Sequence, residues 1–146
     1  MKVTSTNFSG LKIVQSKIYK DNRGFVKESY KQKNFKNKDF IFGIISSSKK
    51  NVVRGLHLQT KFKQAKYISV LKGAILDVAL DLRKGSKTFG KHFKVILSAN
   101  NDKSLFIPAG FAHGFLSLKK ENIVYYKCTN YRLQNMKLAC SGTIKI

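Results

Sequence analysis

The chain has 146 residues, 42% of them hydrophobic, which is enough for one domain with its own core and too apolar for a disordered chain. No apolar run is long enough to span a membrane, and the opening MKVTSTNFSG lacks an apolar signal core, so a cytoplasmic protein is expected. The net charge of +22 suggests nucleic acid, but only four of the 29 cations are arginine, the side chain best suited to phosphates and base edges. The lysines are spread along the whole chain, so the expectation is a solvated basic surface, neither nucleic acid nor membrane as partner, and an anionic small ligand.

No repeat or low-complexity linker divides the chain, and a single domain over residues 1–146 is expected. The stretch YKQKNFKNKDF, residues 30–40, is the one candidate helix, and it is short. VVRGLHLQ, residues 52–59, alternates as a strand, with Leu56 and Leu58 on one face and Gly55, His57 and Gln59 on the other. By pattern alone His57 reads as a hydrogen-bonded structural histidine. AKYISVL follows as a second strand, then AILDVALDLR as the clearest one. In it Ala74, Leu76, Val78, Leu80 and Leu82 share one face, and Ile75, Asp77, Ala79, Asp81 and Arg83 the other. The pattern alone reads the aspartate face as the solvent side of a sheet. The alternative is a polar lining inside a ligand-holding barrel.

HFKVIL, SLFI and NIVYYKCTNY are further strands, and His92 reads as surface. Turn signals at Lys72-Gly73, Lys84-Gly85-Ser86, Asn100-Asn101-Asp102 and Pro108-Ala109-Gly110 separate the strands. Many short strands with tight turns imply a β-sandwich or barrel. In IPAGFAHGF, residues 107–115, Gly110 and Gly114 flank His113, as a close backbone approach to a ligand would require. Cys128 and Cys140 lack metal-ligand spacing and are expected as free thiols.

Five stretches in this order, DNRGFVKESY, KKNVVRGLHLQ, LDVALDLRKGSKTFG, LFIPAGFAHGF and YYKCTNY, resemble the dTDP-4-dehydrorhamnose 3,5-epimerases. The resemblance covers about residues 11–131. It implies an all-β, cupin-like jelly-roll barrel and an isomerase that inverts C3 and C5 of a nucleotide-linked 4-keto-6-deoxyhexose in cell-surface sugar synthesis. It implies a homodimer with exchanged strand edges, no cofactor and no metal. Both reacting carbons flank the C4 ketone, so the chemistry needs a base, an oxyanion partner and an acid on the opposite ring face. By resemblance His57 is the base, Lys66 faces the developing C4 oxyanion, and Tyr126 returns the proton. Arg23 and Glu28 match nucleotide-binding positions, Arg54 the diphosphate arginine, and His113 a second histidine near the sugar. Asp77 is expected to support Lys66 or another polar group.

Three departures qualify the likeness. Phe42, Gly43 and Ile44 stand where the family has a polar, nucleotide-binding stretch, and Arg132 stands where it has a tyrosine near the nucleotide. Residues 132–146 do not match the family, which carries further on an aspartate that hydrogen-bonds the base; His57 is therefore expected to lack that carboxylate unless Asp77, Asp81 or another acid substitutes. Shifted by two nucleotides, the codons from Met136 can encode an acidic, Trp-containing segment like the family's, so a frameshift near residues 131–135 is expected. The alternatives are a C3-only epimerase or 3,4-ketoisomerase on the same scaffold, or a non-catalytic barrel that binds sugar nucleotides.

Overall fold

The computed structural model describes residues 1–35 and 38–132, and the backbone of 137–139. Its strands are β1 (Lys2–Ser5), β2 (Lys12–Gln15), β3 (Ile18–Asp21), β4 (Gly24–Lys27), β5 (Phe42–Lys49), β6 (Val53–Gln59) and β7 (Lys66–Lys72). They continue with β8 (Ala74–Asp81), β9 (His92–Ser98), β10 (Lys103–Ile107), β11 (Phe111–Ser117), β12 (Glu121–Cys128) and β13 (Lys137–Ala139). One six-stranded sheet runs β1-β2-β10-β7-β12-β5, and one five-stranded sheet runs β13-β6-β11-β8-β9. β3 and β4 form a separate hairpin. The pairings are all antiparallel, and the architecture is an all-β jelly roll of two facing sheets rather than a single closed barrel.

The main core lies between the sheets, where Leu11, Ile68, Ile75, Leu97, Leu105 and Val124 are fully buried. A second cluster, Val14, Phe35, Ala65, Tyr67 and Phe106, covers the far side of β7 and β10. It explains why AKYISVL reads as nearly continuous apolar chain: Tyr67 and Ile68 point to opposite faces and both are buried. The expected helix over residues 30–40 is reduced to a 3-10 turn, Gln32–Asn34. The segment lacks an apolar stripe at helical spacing. Tyr30, Phe35 and Phe40 instead pack as an aromatic lid over Tyr67, with the Tyr30 and Phe35 rings stacked at 5.6 Å.

The aspartate face of β8 is inside, not on the solvent side as the alternation suggested. Ile75, Asp77, Ala79 and Asp81 are fully buried, and the all-apolar face, with Leu76 and Leu80 half-buried, is the outer one. Two polar networks permit this inversion. Asp81 receives both Nε and Nη2 of Arg83 at 2.9 and 2.8 Å, with the hydroxyls of Ser86 and Thr88, and so closes the loop after β8. The Arg83 guanidinium beside Asp81 holds its carboxyl well below the usual carboxylate range. Asp77 meets His113.

At Gly114, which lines the cavity between the sheets, the structure shows a close approach of strand to strand. A Cβ at Gly114 would lie 2.5 Å from the Arg54 carbonyl oxygen, and one at Gly55 would lie 2.5 Å from the Gly114 Cα. Gly55 also has φ +117°, a backbone conformation that other residues adopt only with strain. The register shifts here, so that His113 partners His57 while Phe115 partners Arg54. The glycine pair thus sets two imidazoles side by side on adjacent strands. His92 on β9 is exposed, and Cys128 is a buried free cysteine. Cys140 and the proposed frameshift lie outside the described residues, apart from the β13 backbone, which pairs Ala139 with His57 on β6.

Candidate active site

A cavity of about 410 Å³ opens between the two sheets. From the five-stranded sheet it receives Arg54, His57 and Gln59 of β6 and His113 of β11. From the six-stranded sheet come Lys66 at the start of β7 and Tyr126 and Cys128 of β12. β12 pairs with β7 so that Cys128 is opposite Lys66 and Tyr126 opposite Ile68. His57 and Tyr126 therefore stand on different walls of one space. Among the described residues the lining has three cationic side chains, Arg54, Lys66 and Arg132, and no carboxylate. Such a lining attracts an anion.

Arg54 and His113 are held from behind. Arg54 reaches across from β6 to β5, its Nε donating to Ser48 Oγ at 2.7 Å and its Nη2 to the Ser47 carbonyl at 2.9 Å. His113 donates from Nε2 to Asp77 Oδ2 at 2.9 Å, both residues being buried. The His113 ring meets Tyr126 edge-on, with centroids 6.1 Å apart. Burial pushes the Tyr126 phenol up to about 12. Asp77 adds to that shift and Arg54 eases it, as does the Ser46 hydroxyl, which lies beside the phenol without closing a hydrogen bond of full geometry. Burial likewise pushes the Cys128 thiol up to about 11, against the opposing charge of Lys66. Both groups carry their protons at neutral pH.

Of the residues singled out from sequence, His57, Lys66, Tyr126, Arg54 and His113 line the cavity. Asp77 lies behind His113 and not behind Lys66. Neither Asp77 nor Asp81 substitutes as the carboxylate behind His57: the first binds His113 and the second Arg83. Arg23 and Glu28 are not in the cavity. Arg23 sits on the β3–β4 hairpin, paired with Asp21 and largely exposed, and Glu28 pairs with Lys31 just after it. Arg132, read as standing where the family has a tyrosine near the nucleotide, also lines the cavity, whereas sequence reasoning missed Gln59, Gln64 and Ser46–Ser48 as parts of the site. The serine run on an alternating strand was the available signal, since every second serine must share a face with Ile44, which also lines the cavity.

A family model described as dTDP-4-dehydrorhamnose 3,5-epimerase matches residues 5–140, which carries the likeness past residue 131, where the sequence was expected to depart from the family. The chain belongs to the dTDP-4-dehydrorhamnose 3,5-epimerase family. Among the epimerases, that of Salmonella typhimurium is 43% identical over 137 residues, which cover 90% of this chain and 75% of the relative. The epimerase of Neisseria gonorrhoeae is 41% identical over 135 residues, 90% of this chain but 41% of the relative's length. Among solved structures, the Legionella pneumophila dTDP-6-deoxy-D-glucose-3,5-epimerase in complex with dTDP-4-keto-L-rhamnose superposes with a TM-score of 0.91 at 41% identity. That match covers 94% of this chain and 76% of that one. Among the described residues of this family member, no cluster of three or more His, Cys, Asp or Glu could hold a metal ion, and no helix is long and apolar enough to cross a membrane.

Proposed function

We propose that this chain is an epimerase that inverts C3 and C5 of a dTDP-linked 4-keto-6-deoxyhexose, in the synthesis of cell-surface sugars. The observation that carries the reading is the placement of His57 and Tyr126 on opposing sheets across one cation-lined cavity. A hydrogen beside a ketone leaves as a proton if the enolate oxygen is stabilised. His57 is the base, since imidazole titrates near neutral pH. Lys66 faces the C4 oxygen as its charge develops. Tyr126 returns a proton from the other ring face, and its raised pKa keeps that proton available while making it a weak acid that must be held close. Arg54, braced by Ser47 and Ser48, meets the diphosphate, and its planar donors suit phosphoryl oxygens. His113, fixed by Asp77, contacts the sugar.

The working unit in this reading is a cytoplasmic homodimer. The β3–β4 hairpin supports it, since Tyr19, Phe25 and Val26 are exposed on a two-stranded ribbon that belongs to neither sheet. In a strand-exchanged dimer, Arg23 and Glu28 of that hairpin region serve the partner's nucleotide site. Incubation with dTDP-4-keto-6-deoxyglucose in D₂O, followed by NMR, tests the activity. Deuterium at both C3 and C5 with inversion is expected. Incorporation at C3 alone would make it a single-carbon epimerase, and none at either carbon would leave a binding module.

A further inference from the structure

We propose that Arg132 is a second diphosphate-binding arginine, and that this chain holds its nucleotide chiefly by the phosphates rather than by the base. The inference rests on the epimerase reading and deepens it. A guanidinium can present two bidentate edges to anions. Arg54 has spent one of them, Nε with Nη2, on Ser48 and Ser47. Its remaining edge serves one phosphoryl group, whereas a nucleoside diphosphate brings two. Lys66, paired in register with Cys128, is the cation that the epimerase reading assigns to the C4 oxygen.

Arg132 is the third cation lining the same cavity, and among the described residues it has neither a hydrogen bond nor an ion pair. Its backbone is tethered rather than loose. The Gln59 side chain donates to the Tyr131 carbonyl at 3.1 Å, and the Tyr131 ring packs on Phe42 with centroids 5.7 Å apart. The guanidinium therefore starts from a fixed point at the mouth, with β6 beneath it. An arginine there adds charge and phosphate geometry. It contributes less to base choice than a flat, neutral ring in the same place, and no side chain of Phe42, Gly43 or Ile44 can hydrogen-bond a base edge.

Calorimetry with dTDP, UDP and inorganic pyrophosphate at two salt concentrations tests this. The unaltered chain should bind all three, with dTDP and UDP differing little. Arg132→Ala should weaken all three by a similar factor, roughly tenfold, and flatten the salt dependence, while Arg132→Lys restores part of the loss. Arg132→Tyr should weaken pyrophosphate as Arg132→Ala does and widen the gap between dTDP and pyrophosphate. Unchanged pyrophosphate affinity in Arg132→Ala, beside normal binding by the unaltered chain, would overturn this inference alone. No binding of any of the three by the unaltered chain at millimolar concentration would overturn it together with the epimerase reading.

Discussion

The Nε2 of His113 lies 2.9 Å from Oδ2 of Asp77, and both side chains are buried between the sheets. A carboxylate can only accept, so the contact places the Nε2 proton on His113 and leaves Nδ1 as the ring's other face. The second oxygen, Asp77 Oδ1, has no hydrogen-bond partner among the described residues. A buried charge with one oxygen unsatisfied is a poor way to gain stability, so its role is to position the imidazole.

Asp77→Asn tests that role. The amide keeps the shape but can donate as well as accept, so it no longer dictates the tautomer. Turnover should fall by roughly tenfold to a hundredfold, the usual cost of losing an outer-shell partner, with the melting temperature little changed. The nitrogen-15 signals of His113 should shift toward the other tautomer. A large loss of thermal stability with unchanged tautomer signals would make Asp77 a purely structural residue.

The strand approach at Gly55 and Gly114 makes a second prediction. Gly114→Ala forces a Cβ to 2.5 Å from a backbone oxygen, and Gly55→Ala adds a strained φ to a similar clash. Each should destabilise the fold by about 2–4 kcal/mol. Gly85→Ala is the control: its φ is +81° but no atom lies within 4 Å of the new Cβ, so it should cost only about 1 kcal/mol. Denaturant midpoints of the three variants rank them.

Alkaline pH supplies a third. Tyr126 and Cys128 have ordinary values of 10.0 and 9.0 and are pushed up to about 12 and about 11 by burial. A group raised on folding contributes stability that is complete below its unfolded pKa and lost as pH rises through its folded one. Their joint contribution is therefore intact up to about pH 9 and disappears toward pH 12. The many lysines also lose charge near pH 10.4, which acts in the opposite direction by relieving repulsion. The clean measurement is the difference between the unaltered chain and Tyr126→Phe. The unaltered chain's melting temperature should fall relative to the variant's between pH 10 and 12.

These features differ in how far the sequence disclosed them. The strands and a β-sandwich or barrel were legible because period-2 alternation and turn residues are local signals. The jelly roll and the cavity group of Arg54, His57, Lys66, His113 and Tyr126 were legible only through the resemblance of five ordered motifs to a known family; by pattern alone His57 read as structural. The aspartate face of β8 was not legible, since alternation does not tell which face meets water; that depends on Arg83, two residues on, folding back over Asp81 and on His113 arriving from β11. The aromatic lid of Tyr30, Phe35 and Phe40 was misread as a short helix for a related reason. What covers the far side of β7 is decided by tertiary packing, not by spacing. The strand-to-strand approach at Gly114 was not legible because no single strand shows the glycine facing it from β6.

The most direct test of the central claim separates base from acid by deuterium exchange at C3 of dTDP-4-keto-6-deoxyglucose in D₂O. His57→Ala should lose both wash-in and inverted product. Tyr126→Phe should keep wash-in, because the base can return a deuteron to the face it took the proton from, while inverted product falls by about 10²–10⁴-fold. Full exchange in His57→Ala, or equal loss of exchange and inversion in Tyr126→Phe, would contradict the assignment of the two walls of the cavity to base and acid.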